Sequence, residues 1–296
     1  MFKYKKIMKT IFIFLAYINI AIGQKTSDWQ TIFNGKNLNG WDIKISGHDV
    51  NNNYKNTFKV QNGMLKVSYE EYKTFENKYG HLYYKTPFSH YILTYEYRFT
   101  GNQTPGGASW NVRNSGVMFH SQSATSLSFD QDFPVSLEMQ LLGGLGKGVR
   151  HTANLCTPGT HVYINNSVRM EHCIDSHSKT YDGDQWIKAK LVVLGDSIIH
   201  QIINGDTVLT YQKPKIGEGT TKNFDWKKWG LSDEAAKYWE LKNGSALKEG
   251  YIALQAESHP IDFKEIQLLN LKGFMNKKAK NHKSYFVEND EKSCKF

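Results

Sequence analysis

The stretch PVSLEMQLLGG, Pro134 to Gly144, decides the fold. Val135, Leu137, Met139 and Leu141 fall on one side of an extended chain, and Ser136, Glu138 and Gln140 on the other. Strict alternation is the mark of a strand with one face against a core. If the apolar side is buried, Glu138 and Gln140 stand together on the opposite face.

The same pattern recurs along the chain. TFKVQNGMLKVSY places two apolar runs around Asn62-Gly63, the signal of a tight hairpin. YGHLYYKTPFSHYILTYEYRF and SGVMFHSQ read as further strands, and GNQTPGGASWNVRN reads as a loop. QWIKAKLVVLGDSIIHQIINGDTVLTYQKP reads as three strands joined by Gly-Asp and Asn-Gly-Asp turns. Residues 214–250 break the pattern, and LSDEAAKYWELKNG carries a Ser or Asp cap, helix formers and a closing Asn-Gly, which predicts a short helix. GYIALQAESHPIDFKEIQLLNL returns to strands. Helical segments between strands are nearly missing, which excludes a parallel α/β sheet. The fold expected is all-β, two antiparallel sheets packed face to face.

Bulk properties fit that reading. The 296 residues are 40% hydrophobic and 14% aromatic, enough for one large core. Residues 1–23 carry a basic start, the apolar run TIFIFLAYINIAI, and small residues Ala21 and Gly23, which read as a secretory signal peptide. The run is too short for a comfortable membrane span, so no stable membrane insertion is expected after cleavage. Secretion or periplasmic residence follows. Residues 24–273 form one predicted domain, and 274–296 a basic, flexible tail. Part of the formal +9 charge lies in the leader and the tail, so a nucleic-acid partner is not demanded. Of three cysteines, Cys156 and Cys173 lie in one region and are the natural pair in an exported protein. No CxxC or Cys/His zinc spacing occurs.

Three strands carry polar ladders: His120 with Met118, Glu138 with Gln140, and Gln255 with Glu257. Residues two apart on a strand lie roughly 6.5–7 Å from each other, about a sugar ring's width. The competing reading is plain solvent exposure, since sandwiches are polar outside. His120, His151, His161, His172 and His259 sit in or beside the loops that follow these strands, and a histidine can move a proton near neutral pH. Arg113 and Arg150 offer fixed positive charge toward an oxyanion. Trp110 can stack on a sugar face or anchor its loop. Asp130, Asp132, Glu138 and several histidines can hold a divalent ion, but no spacing compels one and no metal set is assigned. A paired-carboxylate glycosidase is less convincing, because Gln140 stands where a second acid is expected and Glu257 must reach in from another strand. No GxSxG nucleophile elbow is present.

The pieces IFNGKNLNGW, NSGVMFHSQ, VSLEMQLLGG, NLCTPGTHV, KTYDGDQW and YIALQAESHPIDFKEIQL, in this order over about residues 29–271, resemble the 3-keto-disaccharide hydrolase domain family. The resemblance implies a jelly-roll-like sandwich similar to the concanavalin-A-like lectins and glucanases, with carbohydrate bound on its concave face. It implies action on glycosides carrying a ketone at carbon 3, by removal of the carbon-2 proton and elimination at carbon 1, with water adding back. By position, Glu138 and Gln140 match the family's Glu-x-Gln strand, and Gln255 and Glu257 its LQxE strand. His120 stands where many members carry Arg. His120 or Glu138 is expected as base and Arg150 or His151 as oxyanion donor. Gln140, Gln255, Glu257, Trp110, Arg113 and His259 are expected to bind substrate. The resemblance further implies a Cys156–Cys173 bridge that pins the 143–183 loop over the mouth. Two other functions remain open: a binding module without turnover, and a hydrolase of unoxidised glycans.

Overall fold

The computed structural model describes residues 28–217 and 225–295. The signal-peptide reading of residues 1–23 lies outside the described residues. Two antiparallel sheets dominate. The seven-stranded sheet runs, edge to edge, Cys173–Ile174, Asn154–Cys156, Leu137–Leu142, Asn114–Ser121, Gly250–Ala256, Gly80–Phe88 and Trp41–Ile45. The ten-stranded sheet is centred on His90–Phe99 and Ile261–Asn270, with Ile187–Leu194 on the other side of His90–Phe99. The architecture is the expected two-sheet sandwich.

Alternation builds the core between them. Leu137, Met139 and Leu141 from one sheet meet Tyr91, Leu93, Tyr95, Tyr97 and Phe99 from the other, all nearly fully buried. The two sheets are also tied by polar contacts, since Tyr95 donates to Met139 Sδ at 3.4 Å and Tyr97 OH meets Thr152 Oγ1 at 2.8 Å. These two hydroxyls are paired, as buried donors prefer, whereas the buried Tyr91 hydroxyl has no hydrogen-bond partner in the protein.

Local signals are realised where turn chemistry is strong. Asn62 and Gly63 both take positive φ, 53° and 74°, between Phe58–Gln61 and Met64–Val67. That is the backbone an Asn-Gly hairpin turn needs. The helix spans Asp233–Leu241, and the Ser232 hydroxyl accepts from the Ala235 N–H at 3.2 Å. Its Trp239 packs on Trp226 with ring centroids 6.3 Å apart.

Two expectations need correction. The 143–183 region is not a loose loop over a mouth. It contributes Asn154–Cys156 and Cys173–Ile174 to one sheet and Thr160–Ile164 and Ser167–Arg169 to the other. The 274–296 tail is not flexible over its described part. Glu288–Asn289 pairs in parallel with Lys272–Gly273, and Tyr285 packs with Ile92, Leu269 and Leu271 on the outer face of the large sheet. The tail looked unstructured because its few apolar residues are widely spaced among lysines. The sheet beneath it supplies the missing apolar partners.

That docking is testable. Tyr285→Ala removes a large side chain that is 9% exposed and is expected to cost about 3 kcal/mol. Urea denaturation measures it, and an unchanged midpoint contradicts a docked tail.

Candidate functional site

Glu138 lies on the face of the seven-stranded sheet turned away from the core. It is paired with Met118 on one side and Cys156 on the other, and Gln140 is paired with Gly116 and Asn154. Gly116 is the key to its posture. A Cβ placed there would stand 2.2 Å from Glu138 Oε1 and 2.7 Å from its Cγ. The Glu138 side chain therefore lies across the glycine, in space that any other residue would fill. It leans toward the Gly250–Ala256 strand, beyond whose end stands Glu257.

These groups line a cavity of about 400 Å³. Glu138, Glu257, Asn114 and Gln140 supply its polar wall, and Trp110 and Phe133 its apolar one. Trp110 is 52% exposed and stacks parallel to Tyr79, at 7° with centroids 6.1 Å apart. A flat aromatic face held at a cavity mouth suits a sugar ring. The Cys156–Cys173 bridge links the edge strand Cys173–Ile174 to its neighbour Asn154–Cys156 and forms part of the cavity wall, with His172 beside it. It holds the wall rather than a lid.

The electrostatics are unusual for two acids. Burial raises the Glu138 carboxyl above its ordinary value of 4.5. Burial, and then the neighbouring Glu138, push Glu257 well above the same value. No cation contributes to either shift. Two carboxyl groups close together in a water-poor place cannot both ionise cheaply, so near neutral pH the pair stays at least partly protonated. Glu257 Oε2 and Asn114 Oδ1 are buried with no hydrogen-bond partner in the protein. Gln140 accepts from Asn154 Nδ2 at 3.2 Å, which leaves its NH₂ group as a donor.

The other expected site residues are placed elsewhere. His120 does not share the Glu138 face. Its φ is +46°, and the ladder slips between Tyr251 and Ala253 on the adjoining strand. This bulge breaks the alternation that put Met118 and His120 on one side. His120 Nε2 lies 3.0 Å from the Gly195 carbonyl, on a turn of the other sheet, and burial lowers its pKa to about 4. Arg150 spends Nη1 on the Val112 and Gly143 carbonyls at 2.7 and 2.8 Å. The His151 ring meets the Ser178 carbonyl at 2.5 Å. Arg113 lies over Phe99 and pairs with Asp184 at 3.1 Å. These three tie loops together, and none of them lines the Glu138 cavity.

Gln255 and His259 are buried polar residues on either side of Glu257 in the sequence. Gln255 shares the Glu138 face, opposite His81. Both polar side-chain atoms of Gln255, and both ring nitrogens of His259, lack hydrogen-bond partners in the protein. Burial, then Arg113, brings the His259 pKa down to about 4. Among the described residues, no three His, Cys, Asp or Glu side chains converge on a possible metal position. Asn114 and Phe133 were missed from sequence. Asn114 was within reach, since it continues the alternation of Gly116 and Met118, but the strand was read only from Ser115.

Comparison with known proteins settles the lineage. The family model for the 3-keto-alpha-glucoside-1,2-lyase-like domain matches residues 28–269. The chain belongs to this family. No curated protein matches it. Solved structures with similar folds include a candidate glycosyl hydrolase from Parabacteroides distasonis, at 16% identity and TM-score 0.48, covering 83% of this chain and 97% of that one. A galectin-like protein of unknown function from Bacillus subtilis is 13% identical with TM-score 0.48, covering 82% and 94%. A carbohydrate-binding module from Bacillus subtilis is 9% identical with TM-score 0.43, covering 78% and 96%. In this lyase-like member the Glu138 cavity is thus built from segments inside the matched range.

The raised carboxyl pair makes stability depend on pH. Below about 4.5 the acids are protonated whether the chain is folded or not. As pH rises, the unfolded chain ionises them freely and the folded one resists, so stability is lost toward the raised folded values. Glu138→Gln is expected to flatten this decline, gaining stability relative to wild type at pH 8 compared with pH 4. Melting temperature against pH measures it. Parallel curves for the two proteins contradict the shifts.

Proposed function

We propose that the protein is an exported enzyme that cleaves 3-keto-glycosides at the Glu138 cavity. The observation that carries this is the buried Glu138–Glu257 pair beside an exposed, stacked tryptophan. Glu138 is the easier of the two to ionise, and once it has done so the pair offers a base and an acid at once. Glu138 as carboxylate takes the carbon-2 proton, which the neighbouring ketone acidifies. The electron pair moves into an enolate, with its charge on the carbon-3 oxygen. The enolate then expels the carbon-1 substituent, whose oxygen receives the proton held by Glu257. Water adds to the unsaturated sugar, giving net hydrolysis, or the unsaturated sugar leaves as a lyase product. The Gln140 NH₂ group and the Asn114 amide are the donors available to the enolate oxygen. Trp110 stacks on the sugar and adds binding.

The family membership supports a carbohydrate-active reading, and the geometry supports proton abstraction. Export rests on the basic and apolar leader. No helix among the described residues is long and apolar enough to cross a membrane. A second reading keeps the same cavity but takes an unoxidised glycoside, with the two carboxyl groups acting across the scissile bond. It gains from Glu257, which supplies the second acid that the Glu138 strand lacks.

Incubation with p-nitrophenyl glucoside and its 3-keto counterpart separates the readings. Release from the oxidised member alone is expected. Release from both favours ordinary glycoside hydrolysis, and release from neither leaves a binding module. Glu138→Gln is expected to lower kcat by about 10²-fold or more, and Trp110→Ala to raise KM by about tenfold with a smaller change in kcat. Unchanged turnover in Glu138→Gln contradicts its role as base.

A further inference from the structure

A second, larger cleft lies at the other end of the strand that leads to Glu257. Its volume is about 1070 Å³. It opens around Gly250, seven residues from Glu257, or about 23 Å at about 3.3 Å per residue. Its walls come from segments that the Glu138 cavity does not use: the 194–197 turn, the helix carrying Trp239 with Lys242 just past its end, the 246–251 approach to the strand, and the docked tail at Glu288. Both the insertion and the tail therefore shape it.

Three features mark it as a built site rather than a surface irregularity. The first is His120, which is 1% exposed, lines the cleft and keeps its Nδ1 without a partner in the protein. Its other nitrogen is held by the Gly195 carbonyl. That nitrogen must donate, so the unpartnered Nδ1 is an acceptor. The second is the backbone. His120 is held in the left-handed region at φ +46°, and a Cβ on neighbouring Gly250 would stand 2.3 Å from the His120 carbonyl carbon. The close approach of the two backbones over-determines the bulge that carries His120 to this wall. The third is charge. Lys242, Lys248 and Lys272 line the cleft together with Asp196, Glu249 and Glu288, with Lys248 4.0 Å from Asp196 and Lys242 donating to the Tyr238 hydroxyl. The signs balance, which disfavours a phosphate, a polyanion or a cation as ligand. What remains is a space rich in donors and acceptors, with Tyr251 on its wall, of a size for several sugar rings.

We propose that this cleft is a second binding site, which takes a neutral oligosaccharide and carries out no chemistry there. Its charged side chains bind hydroxyl groups in pairs, and Tyr251 supplies an apolar face. A chain held here is anchored on the same molecule as the Glu138 cavity, which raises the local supply of glycan ends. The inference does not depend on the reaction proposed for that cavity.

The test uses the full chain with Trp110→Ala, so that sugar binding at the Glu138 cavity is weakened. Maltohexaose, cellohexaose and laminarihexaose are the probes, and calorimetric titration is the readout. At least one is expected to bind this protein. Adding Lys248→Ala and Glu249→Ala, both at exposed positions that leave the core intact, is expected to weaken that binding at least tenfold. No binding by any of the three, or binding unchanged by the added substitutions, overturns the proposal. Tighter binding of a heparin hexasaccharide than of every neutral probe also overturns it. Loss of turnover on a 3-keto-glucoside without loss of this binding bears only on the Glu138 cavity.

Discussion

Two carboxyl groups held together out of water, with no cation among the described residues to neutralise them, are the constraint around which this molecule is arranged. Burying one carboxylate costs several kcal/mol, and a second of like charge beside it costs more. The protein offsets this with its core. Phe119, Leu137, Met139, Leu141 and Leu254 lock the strands beneath the cavity into a single register. Slipping the Glu138 strand by one residue would bury Glu138 in the sandwich and expose Met139. The apolar half of each strand thus enforces the position of its polar half.

Gly116 turns that register into a site. The neighbouring strands carry side chains at their corresponding places, whereas this strand offers bare backbone. Glu138 can then lie across it, close enough to Glu257 for each charge to oppose the other. Oriented, poorly solvated carboxyl groups are suited to proton transfer near neutral pH. The disulfide-linked strands and Trp110 complete the wall, so the flat aromatic face and the two carboxyl groups border one space.

How much of this was legible depended on whether the signal was local. Alternation gave the strands, Asn62-Gly63 a hairpin, and Ser232 a helix start, because each rests on residues a few positions apart. The shared face of Glu138, Gln140 and Gln255 followed from the same period. His120 defeated that logic, since one bulge reverses every later residue and bulges leave little trace in sequence. Gly250 was a possible hint, being the residue that lets the bulge close. Arg150 and His151 looked catalytic by type, yet tertiary contacts commit their polar atoms to carbonyls of distant loops. The meeting of Glu138 with Glu257 lies between segments more than a hundred residues apart and is a property of topology. The docked tail was illegible for a similar reason, because its partners are on the sheet.

The raised, buried carboxyl pair is the claim on which the rest stands. Carboxyl ¹³C NMR of glutamate-labelled protein, titrated from pH 4 to 10 in wild type, Glu138→Gln and Glu257→Gln, measures it directly. The account predicts two glutamate signals that titrate well above the ordinary carboxylate range, with Glu138→Gln bringing the Glu257 transition down. Both signals titrating near 4.5 and independently of each other would contradict it.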